Sequence, residues 1–448
     1  MSIHCGYIVE VKELRPHANA DKLQIATFFG NDTCVGLDIQ IGNKGIYFPS
    51  DLQLSEEFAT VNNLVRKKDD AGNNIGGYMD PAKRNVKAIN LRGQKSDGLF
   101  LPLSSLESFG DISALKAGDA IDVFNGHEIC QKYIPARPNS AIGRAGNRTR
   151  KKKVPVAPLF MEHADTEQLA YNLDAFRPGD HIEITLKIHG TSQRTGYLPR
   201  LKGFKRTLMD RLLRREGTPI YDWGYVSGTR RTVLENYDGG YYGSNEFREE
   251  HSKIFEGKLW KGETVYLEVA GFTTDGTPIM ATADNKKVQD PAFTKQYGKT
   301  TTFSYGCEPG ESKLYVYRMT MTNEDGDVVE YTPDFMRYRC EQMGVNCVPV
   351  FWSGIIPEHP ASAEDNTISA GEWVRNLSER FYDGPDPIGK THVREGVVVR
   401  VVNRPKFTAY KHKNFNFKVL ENIIKDVATA PDIEEAEELI QKERESTK

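Results

Sequence analysis

A lysine that closes an apolar strand and precedes a turn glycine presents its amine at the lip of a pocket. The alternating run Ile182-Glu183-Ile184-Thr185-Leu186 ends in Lys187-Ile188-His189-Gly190-Thr191-Ser192. A compact amine on a flexible stem suits covalent attack on phosphorus once its surroundings remove its proton. Further segments follow in a fixed order: Ser227-Gly228-Thr229-Arg230-Arg231, Tyr266-Leu267-Glu268-Val269-Ala270-Gly271 and Leu314-Tyr315-Val316-Tyr317-Arg318. Last come Glu395-Gly396-Val397-Val398-Val399-Arg400 and Tyr410-Lys411-His412-Lys413-Asn414. Each has a plainer reading as well. Glu268 suits a rim carboxylate, Tyr315 and Tyr317 suit core aromatics, and Lys411 and Lys413 suit the protection of an edge strand. Together they supply what nucleotidyl transfer needs. A base needs an aromatic face, a ribose needs a carboxylate, a phosphate under attack needs fixed cations, and a divalent metal needs hard oxygens.

These residues need a scaffold, and the chain is long enough for two or three domains at 448 residues. The net charge of -3 gives no global sign of a nucleic-acid binder, so any basic surface is local. There is no long apolar run to span a membrane and no evident signal peptide. Cys5, Cys34, Cys130, Cys307, Cys340 and Cys347 are scattered without zinc spacing, which predicts reduced thiols in a cytoplasmic protein.

Residues 1–134 read as mostly β. Tyr7–Val11, Leu23–Phe29, Cys34–Ile39 and Gly45–Phe48 are short runs punctuated by Gly, Asn and Asp, as in a small barrel of the OB type. A long loop is expected over 61–86. Residues 135–153 form a basic linker holding Arg137, Arg144, Arg148, Arg150, Lys151, Lys152 and Lys153 without one acid. It reads either as a phosphate-tracking segment or as a solvated hinge. Residues 154–420 mix strands (Ile182–Leu186, Thr264–Val269, Lys313–Met319, Val397–Val402) with helices over Phe204–Arg215 and Thr332–Met343. The first of these helices is basic through Arg206 and Arg211 and apolar through Leu208, Met209, Leu212 and Leu213. It suits an RNA backbone, a docked face, or both. A helical tail is expected over 421–448, and no coiled-coil seam argues against a monomer.

The order KxHGT, an arginine segment, ExxG, an aromatic strand, EGxxxR and KxK resembles the covalent nucleotidyltransferase superfamily. Lys187-Ile188-His189-Gly190-Thr191, with His where DNA ligases and capping enzymes have Asp, resembles the RNA ligase 2 family of nick-sealing ligases. Val9-Glu10-Val11 leading to Pro16-His17-Ala18-Asn19-Ala20-Asp21-Lys22-Leu23 resembles OB modules of the tRNA-binding type. Leu91-Arg92-Gly93-Gln94-Lys95-Ser96-Asp97-Gly98-Leu99 is similar to the N-terminal module of a bacterial branch of RNA ligases. The resemblance implies an α+β chain: an N-terminal OB-like β-barrel that binds RNA, then a nucleotidyltransferase (ATP-grasp-like ligase) domain of antiparallel sheets with flanking helices.

By the same resemblance, Lys187 forms lysyl-AMP from ATP with Mg2+ or Mn2+, and AMP passes to an RNA 5′-phosphate before a 3′-OH seals the strand. A nicked duplex is the implied substrate, in RNA nick or break repair. Lys411 and Lys413 would bind the α-phosphate and help to lower the pKa of Lys187, and Glu395 would act through the metal. Leu186, Ile188, His189 and Gly190 would line the nucleotide, Glu268 would hold the ribose, and Tyr317 (or Tyr315) would stack on adenine. Arg230 (or Arg231) would read phosphate, Arg400 would sit near the base or the nucleophile, and Arg150, Lys151, Arg206 and Arg211 would contact RNA. Ser192 stands where the family has Asn, and Arg318 where an Asp is typical. The alternatives are a DNA ligase or GTP-using capping-type transferase on the same scaffold, or a non-catalytic OB-containing RNA-binding protein. Deleting residues 1–130 is expected to spare the reaction of Lys187 and impair sealing.

Overall fold

Short alternating segments in the first third of the chain pair into several small ladders. In the computed structural model, which describes residues 4–135, 154–213, 215, 217–234, 237, 242, 245–362 and 367–426, the chain forms two units. Arg150 and Lys151 of the basic linker, and the tail beyond residue 426, lie outside the described residues.

The first unit comprises residues up to 135 together with Ala283–Thr301 and residues 413–426. Its main antiparallel sheet runs in the order Leu99–Pro102, Lys44–Phe48, Gly6–Glu10, Ala120–Ile121. A second sheet joins Leu14–Pro16, Leu23–Phe28 and Asn31–Gly36. Phe29 and Gly30 take positive φ of 52° and 79° in the two-residue turn between the last two strands, the conformation that matches strand twist in a tight hairpin. Ile8, Ile46, Phe48, Leu54, Phe58 and Leu106 form the core. The expected loop over 61–86 holds a small hairpin, Lys67–Lys68 with Asn74–Gly76. The β content predicted from alternation is present. Among the described residues, however, the ladders do not close into a barrel.

The helix Phe415–Asp426 packs in this unit, burying Phe417, Val419 and Leu420. Its polar side chains are tied as firmly: Lys418 meets Asp97 at 2.6 Å, Lys425 meets Asp51 at 3.2 Å, and Lys87 meets Asp426 at 2.5 Å. Burial pushes the Asp51 carboxyl up, but the Lys425 ammonium overrides it and leaves the group below its ordinary range. The boundary expected after residue 420 therefore falls inside a helix whose partners lie far earlier in the chain.

The second unit carries two mixed-length sheets. The larger, antiparallel throughout, orders Val233–Leu234, Thr218–Gly228, Thr191–Lys205, Glu263–Gly271, Ser312–Thr322 and Val328–Glu330. The smaller orders Glu167–Gln168, Thr408–Lys413, Gly396–Val401, His181–Lys187 and Val350–Ile355. Period-two alternation sends Ile182, Ile184 and Leu186 to one face of their strand. There Ile182 and Ile184 share a core with Val397, Val399, Val401 and Val374. Val374 comes from the helix Ala370–Glu379, started by a capping box between Ser369 and Glu372. The expected helix Thr332–Met343 is observed as Pro333–Met343, capped by Thr332 with proline in its first turn. The helix expected over Phe204–Arg215 is cut to Leu208–Leu212, because Phe204 and Lys205 continue the Thr191–Lys205 strand and pair with Pro219 and Thr218.

Helix Phe415–Asp426 changes the outcome expected for truncation. Deleting residues 1–130 removes Asp51, Lys87 and Asp97 and bares the apolar side of this helix. We expect the truncated chain to melt lower and less cooperatively than the full chain, and to be cut by protease within 283–301 and 413–426. A truncated chain that resists protease there and melts as one sharp transition contradicts the shared unit.

Candidate active site

Register in the smaller sheet sets the centre of the site. Lys187 lies opposite Gly396 across the antiparallel ladder, which places the preceding Glu395 beside it. The Lys187 Nζ is 2.7 Å from Glu395 Oε1, and the Glu395 side chain is only 2% exposed against 24% for Lys187. A buried carboxylate at this distance favours the ammonium form of the lysine. His189 Nδ1 lies 3.8 Å from the other carboxylate oxygen, Oε2. The His189 ring packs edge-on against Phe303 at 4.6 Å, and its backbone N–H donates to the Tyr305 hydroxyl at 2.6 Å. Burial raises the Tyr305 phenol well above its usual range, so it stays a neutral acceptor. Leu186 and Ile188 flank the lysine and are buried.

Gly190 begins the crossing to the larger sheet, and no other residue fits there. A Cβ at Gly190 would meet the Val269 carbonyl oxygen at 2.3 Å and Glu268 Cγ at 3.0 Å. Two residues on, Ser192 pairs with Glu268, which in turn pairs with Tyr315, so the three form one row across the sheet. The Ser192 hydroxyl donates to Glu268 Oε2 at 3.1 Å, an orienting contact for that carboxylate. A β-bulge opposite Tyr266 and Leu267 leaves Tyr317 as the extra residue of its strand. Tyr315 is buried at 5% exposure, whereas Tyr317 is half-buried, its hydroxyl 3.3 Å from His163 Nδ1 and its ring edge-on to that imidazole.

The remaining expected residues separate into distinct settings. Arg230 and Arg231 both grip Asp165, the latter at 2.9 Å. Burial raises the Asp165 carboxyl, but Arg230 foremost and then Arg231 bring it below its ordinary range. Arg400 is buried, donates to the Tyr331 carbonyl at 2.8 Å and lies over Phe407 at 5.1 Å. Arg318, in place of the expected acid, is chelated by Glu330 and lies over Tyr266 at 4.5 Å. Lys411 is half-buried on the Thr408–Lys413 strand, paired with Gln168. Lys413 falls in the first unit, where its ammonium binds Glu421 at 2.7 Å. Arg206 and Arg211 are exposed at the end of the Thr191–Gly228 hairpin.

Sequence reading missed Arg248, which is 1% exposed and donates to the Ser192 carbonyl at 2.8 Å and the Thr191 hydroxyl at 2.6 Å. Its helix, Glu246–Lys253, reads as charged and solvated, and nothing in it marks one arginine as buried. His163 and Asp165 were missed for the same reason: they precede the strands and carry no spacing signal. Among the described residues, no three acidic, histidine or cysteine side chains gather as a metal cage.

Neither a family profile nor a curated protein sequence matches this chain. Its fold, however, is similar to solved structures of Naegleria gruberi RNA ligase. A mutant of that enzyme with ATP and Mn aligns at a TM-score of 0.52 and 14% identity, covering 92% of this chain and 98% of that one. Another mutant in the apo state aligns at 0.54 and 15%, covering 93% and 98%. The enzyme with PPi aligns at 0.52 and 15%, covering 92% and 96%.

A pH dependence follows from His251, one turn after Arg248. Burial, then the Arg248 charge, pushes its imidazole down to about 4, so it stays neutral in the folded chain. The unfolded chain takes up that proton near pH 6.5. Stability from this group is therefore intact above about pH 6.5 and falls as pH drops toward 4. Urea midpoints at neutral and mildly acidic pH should fall further apart in the parent than in His251→Gln; equal spacing contradicts the assignment.

The similarity to the Naegleria gruberi RNA ligase structures is one of fold, and it takes in both units of this chain at 92–93% coverage.

Proposed function

We propose that this chain is an ATP-dependent RNA ligase that works through a covalent lysyl-AMP. The observation that carries the reading is the ion pair at 2.7 Å between the strand-closing Lys187 and the buried Glu395. The first step needs the neutral amine. The Lys187 nitrogen bonds to the α-phosphorus of ATP, the bond from that phosphorus to the bridging oxygen breaks, and pyrophosphate leaves while the amine proton passes to water. An oxygen of an RNA 5′-phosphate then attacks the same phosphorus and releases Lys187. A 3′-hydroxyl finally attacks the RNA 5′-phosphorus, and AMP leaves with the old bond.

A divalent cation at Glu395 supplies positive charge that disfavours the ammonium and stabilises the charge on the leaving phosphates. One buried carboxylate, without a protein cage, fits Mg2+ or Mn2+, which takes most of its ligands from water and phosphate. Glu268, oriented by Ser192, accepts from the ribose. Tyr317 stacks on adenine, Arg230 binds phosphate, Arg400 steadies the strand of Glu395, and Lys411 binds the transferring phosphate. The first unit serves as the RNA-binding module of OB type. The protein acts as a cytoplasmic monomer on nicked duplexes in RNA repair. Among the described residues, no helix is long and apolar enough to cross a membrane.

The test is joining of a nicked RNA duplex with a labelled 5′-phosphate, using ATP or GTP with Mg2+ or Mn2+. Joined product with ATP alone, lost in Lys187→Ala and reduced at least about a hundredfold in Glu395→Ala, is the expected result. Guanylyl label on the protein from GTP, without joined product, moves the reading to capping-type chemistry. RNA binding without product overturns the ligase reading.

A further inference from the structure

The Thr191–Lys205 strand pairs with Glu263–Gly271 only from Thr191 to Gly196. From Tyr197 onward, its ladder partner among the described residues is Thr218–Gly228, from Tyr225 back to Thr218. The two strands thus run on as a two-stranded ribbon beyond the sheet, its near part covered where Leu198 and Val226 pack with Ala157 and Phe160 and the Leu201 N–H donates to the Val156 carbonyl at 2.7 Å. At its end sits the one-turn helix Leu208–Leu212, held by the capping box of Thr207 and Asp210. Its apolar side chains do not dock: Leu208, Met209, Leu212 and Leu213 are 83%, 63%, 78% and 49% exposed. Lys205, Arg206, Arg211 and Arg215 are exposed around them. The nearby acid, Asp210, spends its carboxylate on the Thr207 N–H and hydroxyl.

An exposed aliphatic cluster of this size on a soluble face marks a contact surface. Its ring of cations selects an anionic partner. The ribbon's root selects further, because the same strand that carries Ser192 and its bond to Glu268 ends at Lys205. Thirteen residue steps at strand rise span roughly 43 Å. A partner that engages both ends must itself be long, stiff and anionic. A bilayer would meet the tip alone.

We propose that this ribbon is an arm that grips double-stranded RNA at a distance from the joint. Arg206, Arg211 and their neighbours contact phosphates, while Leu208, Met209 and Leu212 press on the sugar and base edges of the wide, shallow minor groove. The proposal rests on the RNA reading above and adds the length of duplex that the substrate needs.

The two kinds of contact have separable signatures. Binding of the full chain to a long nicked RNA duplex, and to one too short to reach the tip, is measured across a salt series. Arg206→Gln with Arg211→Gln should lower the slope of log affinity against log salt by about 1.5. Leu208→Ser, Met209→Ser and Leu212→Ser together should weaken long-duplex binding roughly tenfold with the slope unchanged. Short-duplex binding should move in neither variant. Exposed positions predict melts like the parent's, which serves as the folding control. Equal binding of parent and variants to the long duplex overturns the arm. So does a serine variant whose loss appears only in self-association or in binding to phosphatidylserine vesicles. A parent that binds neither duplex overturns the RNA reading itself.

Discussion

The site depends on one buried carboxylate and the cation beside it. Glu395 is 2% exposed, and its charge is tolerable there only with a close counter-charge, which Lys187 provides at 2.7 Å. Backbone register sets this contact: Lys187 opposite Gly396 leaves little freedom to the neighbouring side chain. The apolar alternation of the His181–Lys187 strand then fixes the register, because a one-residue slip would turn Ile182 and Ile184 out of the core they share with Val397 and Val399. The pair that the chemistry uses is thus held by the same packing that stabilises the sheet. It also sets a condition on reactivity. As found, the lysine is partnered for its charged form, and the first chemical step needs that partnership loosened.

A second layer of order comes from buried arginines. Arg248 holds the backbone of Thr191 and Ser192, Arg194 donates to the carbonyls of Thr229 and Phe160, and Arg318 is locked by Glu330. Each guanidinium satisfies several acceptors at fixed angles, so each ties loop to strand more rigidly than a lysine would. Arg230 and Arg231 differ from these. They converge on a single carboxylate, Asp165, which is 32% exposed and so open to exchange with another anion.

Much of this was legible in the sequence, and the failures have physical causes. The His181–Lys187 strand is legible through its alternation, and Gly396–Val401 through the continuous apolar run that a strand buried on both faces shows. The pairing of Lys187 with Glu395 was not derivable, since register is a long-range property. Tyr317 against Tyr315 stayed open because a bulge shifts the face of every later residue, and a bulge leaves no mark in this run. Residues Phe204–Arg215 carry helical spacing of apolar and basic groups, yet strand pairing takes Phe204 and Lys205, and the helix is confined to Leu208–Leu212. Helix Phe415–Asp426 is not marked in the sequence as one element across residue 420, because its contacts with Asp51 and Asp97 span more than three hundred residues of chain.

The most direct measurement locates the covalent adduct. The full chain is incubated with ATP and a divalent cation, quenched, and digested, and the modified residue is read by tandem mass spectrometry. The account predicts an acid-labile AMP on Lys187, removed by pyrophosphate and absent from Glu395→Gln. AMP on Lys411 or on Lys413, or an unmodified chain after pyrophosphate stripping and reloading with ATP, would contradict it.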